Sequence, residues 1–200
     1  MPAERVAIID SGGANIASLA FALDRLGVRS ILTTDAQVIR NASHVILPGV
    51  GAAASCMERL RKTRLDALIP ELVQPVLGIC LGMQLLAESS AEGNAPCLGV
   101  LPVAVRKMTG TPQNPVPHMG WSPIRFSASH PLLDGIDAGT CFYFVHSYLL
   151  PPGDFTLATA VHDGEMTAVL AHANFYATQF HPERSSRAGS LLLRNFLDLL

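Results

Sequence analysis

Short apolar runs alternate with amphipathic stretches along the first half of the chain. Residues 6–10, 30–33 and 44–47 are apolar runs of strand length, as expected for a parallel sheet covered on both faces. Residues 16–26 and 52–61 carry apolar side chains at the spacing of an amphipathic helix. This alternation predicts an α/β fold with a doubly wound, mostly parallel sheet and flanking helices. Ligands of such sheets lie beyond the carboxyl ends of the strands.

The second half of the chain has a different pattern, with frequent Gly and Pro between residues 92 and 140. This composition predicts an added antiparallel segment with irregular connections. The expected elements of this half are short β-prone pieces near 100–105 and 123–126, a strand at 141–145, a hairpin with strands at 169–171 and 175–180, and an amphipathic helix over 187–200 with its cap near Ser185 or Ser186.

Composition and charge narrow the class of protein. The 200 residues are 49% hydrophobic with a net charge of −2, which fits one globular domain over residues 1–200. No apolar run approaches the ~20 residues of a membrane span, and the N-terminus lacks a signal-peptide pattern, so we expect a cytoplasmic protein without membrane contact. With 14 basic and 16 acidic residues and no basic block, nucleic-acid binding has no electrostatic support. The cysteines lack disulfide-type or zinc-type spacing, so we expect reduced thiols and no metal site.

Cys80 stands at the predicted junction between a strand at 76–79 and a helix at 81–88. Gly78 and Gly82 lie two residues on either side, as in a nucleophile elbow, where a tight turn pushes the central side chain into a cleft. Free N–H groups at the helix start then stabilise a thiolate and can hold an oxyanion. A buried, inert core cysteine is the alternative for this motif taken alone.

A second glycine-containing loop, Pro-Gly-Val-Gly at residues 48–51, follows the strand predicted at 44–47. The glycines on either side of Val50 allow a peptide whose N–H points into a cleft. Taken alone, the loop favours an ordinary β-to-α turn. In a parallel sheet, however, Gly51 and Cys80 lie at the same edge, so that two sets of backbone donors can converge on one carbonyl group.

The triplet His181-Pro182-Glu183 follows the predicted hairpin. Because proline holds the preceding residue in extended geometry, we expect His181 and Glu183 to project to the same side. The carboxylate can then hold one imidazole nitrogen and leave the other facing Cys80, which is the arrangement of base and orienting residue in a triad. The other six histidines are expected to be structural.

Two other stretches are less informative. The only tryptophan, Trp121, lies in a His-Met-Gly-Trp loop between prolines, which suits core packing and a partner surface equally well. The turn at residues 11–15 reads Ser-Gly-Gly-Ala-Asn and lacks both the dinucleotide fingerprint and the Lys-Ser/Thr of a P-loop. We therefore expect no nucleotide cofactor.

Several of these stretches together carry a family resemblance. Residues 48–51, 78–84 and 179–183 read PGVG, GICLGMQ and QFHPE, and they resemble the signatures of the class I (triad) glutamine amidotransferases. Residues 118–121 (HMGW) and 143–148 (YFVHSY) are similar to one branch of this family, the glutaminase subunits of imidazole glycerol phosphate synthase. The resemblance spans nearly the whole chain and implies neither a metal nor an organic cofactor.

The resemblance implies roles for individual residues. Cys80 is the expected nucleophile, His181 its base and Glu183 the residue that orients the base. The expected oxyanion donors are the backbone N–H groups of Val50, Gly51 and Leu81. The expected glutamine-binding residues are Gly49, Gln84, His146, Ser147 and Tyr148. The expected partner contacts are Asn15, Trp121 and Tyr143.

The resemblance also implies a reaction and a partner. Glutamine is hydrolysed to glutamate and ammonia, and a (β/α)8-barrel cyclase subunit uses the ammonia to make imidazole glycerol phosphate and an aminoimidazole carboxamide ribotide in histidine biosynthesis. The alternatives are another triad amidotransferase, a stand-alone γ-glutamyl hydrolase and a binding protein with an unreactive Cys80. Two departures from the family pattern concern the partner surface: residues 11–14 differ from the usual Tyr-Gly-x-Gly, and Ser122 replaces the usual Asn.

Overall fold

The computed structural model describes residues 5–12 and 16–199, which contain fourteen strands and six α-helices. The strands are β1 (Arg5–Ile9), β2 (Arg29–Thr33), β3 (His44–Gly49), β4 (Val76–Cys80), β5 (Ala87–Ser90), β6 (Ala95–Pro96), β7 (Leu101–Lys107), β8 (His118–Pro123), β9 (Arg125–Phe126), β10 (Cys141–His146), β11 (Tyr148–Leu149), β12 (Thr156–Val161), β13 (Glu165–His172) and β14 (Phe175–Thr178). The helices are α1 (Ile16–Arg25), α2 (Ala36–Arg40), α3 (Ala53–Lys62), α4 (Leu65–Leu68), α5 (Leu81–Leu85) and α6 (Ser186–Leu197). Short 3-10 turns lie at Ile69–Glu71, Pro131–Leu133 and Pro182–Arg184.

The central sheet has eight strands in the order β2-β1-β3-β4-β14-β13-β12-β9. Neighbouring strands are parallel from β2 to β14 and antiparallel from β14 to β9. Two smaller antiparallel or mixed groups, β10-β8 and β11-β7-β5-β6, lie beside it. The predicted α/β fold with an added antiparallel segment is therefore confirmed. Within the described residues, no helix is long and apolar enough to cross a bilayer.

Hydrophobic layers cover both faces of the parallel strands. In β1, Val6 and Ile8 belong to one layer and Ala7 and Ile9 to the other, because successive side chains of a strand point to opposite faces. Residues of α1 and α6 complete the first layer, and residues of α3 and α4 complete the second. Burial on both faces explains why these strands are continuous apolar runs rather than alternating ones.

Two predicted elements differ from the structure. The helix predicted over 81–88 ends at Leu85, because Ala87–Ser90 pairs with β7 as strand β5. The stretch at 118–121, which we expected in a loop, lies in strand β8 and pairs with β10. In both places a neighbouring strand decides the conformation, which the local pattern does not contain. No element was predicted over the residues of strand β12.

The last helix differs from the prediction at its cap. Ser185 occupies the N-cap position of α6 but makes no capping hydrogen bond to the helix. Its hydroxyl instead donates to the carbonyl of His181 at 2.6 Å and accepts from the N–H of Tyr143 at 3.0 Å. The predicted serine cap is therefore wrong. The Ser185 side chain does not bind the helix backbone but links the start of α6 to β10 and to His181.

Candidate active site

β4 runs directly into α5, and Cys80 is the residue at the joint. Its backbone has φ 54° and ψ −109°, a conformation that residues other than glycine rarely adopt. The turn is tight because α5 lies against β3, so that a Cβ at Gly82 would collide with the carbonyl of Leu47. A Cβ at Gly78 would lie 2.9 Å from the carbonyl oxygen of Gly82. The geometry of a nucleophile elbow is therefore present at the carboxyl edge of the sheet.

His181 and Glu183 contact each other just beyond β14. Nδ1 of His181 lies 2.8 Å from Oε1 of Glu183, and the two side chains are only 4% and 3% exposed. His181 is extended, with φ −97° and ψ 98°, as the proline after it predicts. Glu183, however, lies in a 3-10 turn rather than in the extended segment we expected. The turn still places the carboxylate on the imidazole ring.

The surroundings of His181 favour its charged form. Burial alone would lower the pKa of His181, but hydrogen bonds and charge from Cys80 and Glu183 raise that pKa to about 10. At neutral pH the His181 imidazolium therefore lies between the Cys80 sulfur and the Glu183 carboxyl group. The sulfur also lies 3.7 Å from the carbonyl oxygen of Val145 and 3.8 Å from Nε2 of Gln179.

The loop after β3 reaches the same edge of the sheet as Cys80. Gly49 is directly opposite Cys80 in the register of β3 with β4. Gly51 has φ +93°, a value that favours glycine. Val50 and Gly51 border the same cavity as Leu81, the first residue of α5. The structure therefore brings both predicted donor segments together, and their action as oxyanion donors stays a prediction.

A cavity of about 310 Å³ lies over Cys80 and His181. Its walls contain all five predicted glutamine-binding residues and all three predicted oxyanion residues. The lining residues are Gly49, Val50, Gly51, Cys80, Leu81, Gln84, Glu92, Pro117, Val145, His146, Ser147, Tyr148 and His181. The fold thus collects, in one concave site, groups that are more than a hundred residues apart in sequence.

Two of the predicted substrate residues already have partners within the protein. Nε2 of Gln84 donates to the carbonyl of Tyr148 at 2.8 Å and to Oε1 of Gln179 at 3.0 Å. The ring nitrogens of His146 lie 2.8 Å from the Tyr148 carbonyl oxygen and 3.1 Å from Nδ1 of His118. These side chains therefore shape the cavity wall and present few free donors to a ligand.

Glu92 and Gln179 are polar residues of this site to which sequence analysis gave no role. Glu92 is half-buried in the cavity wall, and its Oε2 accepts a hydrogen bond from the N–H of Ala53 at 2.8 Å. No local signal marks it, because only the fold brings the turn after β5 to the start of α3. Gln179 is fully buried beside Cys80. Its position as a polar residue within the apolar run at 175–180 could have marked Gln179 as a candidate site residue.

The predicted partner residues that the structure describes lie on strands β8 and β10. Trp121 is 53% exposed, so that it is a surface residue rather than part of the core. Its ring meets that of Tyr143 edge-on at a centroid distance of 6.1 Å, and the Arg184 guanidinium lies 5.1 Å over the Tyr143 ring. Asn15, the third predicted contact, lies outside the described residues.

Comparison with known proteins gives a consistent family assignment. The family model of class-I glutamine amidotransferases matches residues 7–199. The imidazole glycerol phosphate synthase subunit HisH 2 of Legionella pneumophila (strain Lens) is 48% identical, over 97% of this chain and 98% of that protein. The subunit HisH 1 of Vibrio vulnificus (strain YJ016) is 43% identical over the full length of both chains.

Solved structures resemble the chain in fold. One glutamine amidotransferase has a TM-score of 0.75 at 20% identity, with 96% of this chain and 97% of that chain covered. Another, from Thermotoga maritima, has a TM-score of 0.68 at 16% identity, with 99% and 84% covered. With a family match across residues 7–199 and relatives that align along nearly their whole length, the chain belongs to the class I glutamine amidotransferase family, in the branch of the HisH subunits of imidazole glycerol phosphate synthase.

Proposed function

We propose that this chain, as a single domain over residues 1–200, hydrolyses glutamine to glutamate and ammonia and supplies the ammonia to a (β/α)8-barrel cyclase subunit. The cyclase would use it to make imidazole glycerol phosphate and an aminoimidazole carboxamide ribotide in histidine biosynthesis. The observation that carries the proposal is the geometry of the site: Cys80 at the elbow, beside a His181 that Glu183 contacts at 2.8 Å. The family assignment supports the substrate and the partner.

The first half of the reaction forms a thioester. The Cys80 thiolate attacks the side-chain amide carbon of glutamine, and the carbonyl oxygen becomes an oxyanion. Backbone N–H groups of Val50 or Gly51 and of Leu81 are the proposed donors to this oxygen. The His181 imidazolium then gives its proton to the amide nitrogen, so that ammonia leaves and a γ-glutamyl thioester remains on Cys80.

The second half returns the enzyme to its starting state. His181, now neutral, takes a proton from a water molecule as that water attacks the thioester carbonyl. Collapse of the second tetrahedral intermediate releases glutamate and restores the thiolate beside the imidazolium. Glu183 orients the imidazole and stabilises its positive charge throughout, but it takes no proton itself. Side chains, backbone groups and water suffice for every step, so the proposal includes no cofactor.

Glu92 gives the cavity an electrostatic preference for the α-ammonium group of an amino acid. Its carboxylate borders the cavity, and one oxygen is bound by the N–H of Ala53. The other oxygen, Oε1, accepts no hydrogen bond within the described part of the chain, so it is free to accept one from a ligand cation. We propose that Glu92 binds the α-ammonium while Cys80 meets the γ-amide at the other end of the substrate.

The decisive experiment measures glutamate formation by the chain together with its cyclase subunit and the ligand of the cyclase. Cys80→Ala is expected to reduce the rate by several orders of magnitude, because base and orienting residue act only through the nucleophile. Cys141→Ala is the matched control, since Cys141 is exposed and is not among the residues that line the cavity. Activity of Cys80→Ala within tenfold of the unmodified protein would contradict the proposal. Full activity without the cyclase would instead favour a stand-alone hydrolase.

A further inference from the structure

A chain of hydrogen bonds connects strand β8 to the wall of the cavity. Oγ of Ser122 lies 2.8 Å from Nε2 of His118, and Nδ1 of His118 lies 3.1 Å from Nε2 of His146. Nδ1 of His146 lies 2.8 Å from the carbonyl oxygen of Tyr148. Four polar groups from β8, β10 and β11 are thus joined in series, and the sequence signatures explain none of these contacts.

The direction of every hydrogen bond in the chain follows from its last member. The Tyr148 carbonyl can only accept, so Nδ1 of His146 carries the hydrogen. In a neutral imidazole the other nitrogen is then an acceptor, and it must receive a hydrogen from Nδ1 of His118. By the same reasoning Nε2 of His118 is an acceptor, which makes the Ser122 hydroxyl the donor that begins the chain.

The surroundings of the two rings keep them neutral. His118 and His146 are 2% and 7% exposed, and the His118 ring is stacked between Phe144 at 4.8 Å and His162 at 4.1 Å. Burial, with a smaller contribution from His162, lowers the pKa of His118 to about 4. Burial also lowers the pKa of His146, to about 3, against the opposing effect of its bond to Tyr148.

The last group in this series of hydrogen bonds, the Tyr148 carbonyl, belongs to a residue of the cavity wall. The Tyr148 carbonyl accepts from Gln84 as well as from His146, and residues 146–148 line the cavity beside Val145. The hydroxyl that begins the chain belongs to the residue after the exposed Trp121. The hydrogen bonds therefore connect Ser122 to the cavity wall through two buried rings and include no contact with Cys80.

We infer that Ser122 is a positioning residue for the glutamine pocket: its hydroxyl, acting through His118 and His146, fixes the carbonyl of Tyr148 and the wall formed by residues 146–148. The inference rests on the proposed glutaminase function. It assigns Ser122 to substrate binding rather than to the chemical steps, because none of its contacts includes Cys80, His181 or Glu183. Loss of the hydroxyl leaves Nε2 of His118 without its donor and loosens the pocket wall.

Two substitutions of the same shape test the role of the hydroxyl. Ser122→Thr keeps the donor, and Ser122→Val replaces it with a methyl group of similar size. In the liganded complex, with the cyclase at saturating concentration, Ser122→Val is expected to raise KM for glutamine roughly 3- to 10-fold with kcat within about twofold, as for one lost hydrogen bond that acts on binding. Ser122→Thr is expected to restore KM to within about twofold of the unmodified protein.

The control for these variants is Ser127→Ala, which removes an exposed hydroxyl beyond β9 and is expected to leave KM unchanged. Equal impairment of Ser122→Thr and Ser122→Val would show a packing effect and overturn the inference, as would a KM for Ser122→Val within twofold of the unmodified value. If the unmodified complex itself forms no glutamate, the proposed function fails, and that result is distinct from either of these.

A spectroscopic measurement tests the chain without any activity. Nitrogen-15 spectra of the histidine rings in the full-length protein at neutral pH are expected to show both His118 and His146 as neutral tautomers with hydrogen on Nδ1. In Ser122→Val the Nε2 signal of His118 is expected to shift, and in Ser122→Thr it is expected to stay. A charged His118, or hydrogen on Nε2 of His146, would overturn the direction of the chain and the role given to Ser122.

Discussion

At the scale of single residues, the site combines a strained cysteine, Cys80, with the buried contact between His181 and Glu183. A residue at φ 54° and ψ −109° costs on the order of 1–3 kcal/mol, which the packing of α5 against β3 must offset. The same packing holds the buried Cys80 at the wall of the cavity. The side chains of His181 and Glu183 are only 4% and 3% exposed, and the hydrogen bond between them helps to stabilise the positive charge of His181.

Replacement of Glu92 by glutamine tests its proposed contact with the substrate. Glu92→Gln can keep the hydrogen bond from Ala53 through its amide oxygen but loses the negative charge in the cavity. We expect KM for glutamine to rise about tenfold or more with little change in kcat, because the lost contact exists in the ground state and the transition state alike. Steady-state kinetics of the complex measures both constants.

Glu88→Gln is the matched control, because Glu88 is exposed on β5, the strand just before Glu92, and does not line the cavity. We expect its KM and kcat to equal those of the unmodified protein. An unchanged KM in Glu92→Gln would remove Glu92 from the binding site.

At the scale of elements, the joint between β4 and α5 depends on close backbone contact. α5 has only five residues, so its position is set by β3 and β4 rather than by its own stability. The start of α6 has a similar arrangement, because a Cβ at Gly189 would collide with the carbonyl of Pro182. A glycine thus lets a helix approach the backbone closely in two places, at the segment with Cys80 and at the segment with His181 and Glu183.

Gly82→Ala is expected to disturb the elbow. The added methyl group meets the Leu47 carbonyl, so α5 must move away from β3, at a cost of about 2–3 kcal/mol in unfolding free energy. Displacement of Cys80 should also reduce kcat by at least tenfold. Chemical denaturation and glutamate formation measure the two effects.

Met83→Leu is the control, because Met83 is a fully buried neighbour and the substitution nearly conserves volume. Its unfolding free energy should fall by less than about 1.5 kcal/mol. Equal stability of the two variants would argue against the close approach.

At the scale of the whole molecule, buried histidines with opposite shifts set the dependence of stability on pH. His118 and His146 have folded pKa values near 4 and 3, below the ordinary 6.5, so their contribution is complete above about pH 6.5 and is lost as the pH falls. His181 has a folded pKa of about 10, so its contribution is complete below about pH 6.5 and is lost as the pH rises towards 10. For these three groups alone, the summed contribution to stability is largest near pH 6.5.

We therefore expect the unfolding free energy to fall between pH 6.5 and 5, with each of the two neutral histidines adding a slope approaching about 1.4 kcal/mol per pH unit. His118→Gln should remove about one histidine's share of that slope, as measured by denaturant unfolding at several pH values. His172→Gln, at an exposed position on β13, should leave the slope unchanged. Identical slopes in all three proteins would contradict the neutral, buried state of His118.

The surface around Trp121 and Tyr143 is where we expect the cyclase subunit to bind. An exposed Trp in contact with a Tyr and an Arg has the composition of an interface hot spot. Trp121→Ala is expected to weaken association with the cyclase about 30-fold or more, corresponding to about 2 kcal/mol, while thermal stability of the isolated chain changes little. Isothermal titration measures the affinity.

Val73→Ala is the control for this surface. Val73 is 87% exposed and precedes the start of β4, at the opposite edge of the sheet from Cys80. The affinity of the Val73→Ala protein for the cyclase should equal that of the unmodified protein. If Trp121→Ala binds as tightly, the cyclase subunit uses a different face.

The sequence by itself determined the parallel half of the fold and the candidates for the catalytic residues. Strands buried on both faces are continuous apolar runs, and Gly78, Cys80 and Gly82 mark the elbow because only glycine permits the close contacts there. His181-Pro182-Glu183 was recognisable because proline restricts its neighbour locally. Each of these signals is contained in a few consecutive residues, which is why sequence analysis found them.

Only the tertiary structure decided the features that depend on contacts between distant segments. β5 and β8 are strands because other strands pair with them, although their own residues favoured a helix and a loop. Ser185 looked like a helix cap and instead joins His181 to β10. The same holds for Glu92 in the cavity wall and for the chain from Ser122 to Tyr148. Hydrogen bonds between side chains far apart in sequence have no local period or spacing, so they become visible only when the backbone has brought the groups together.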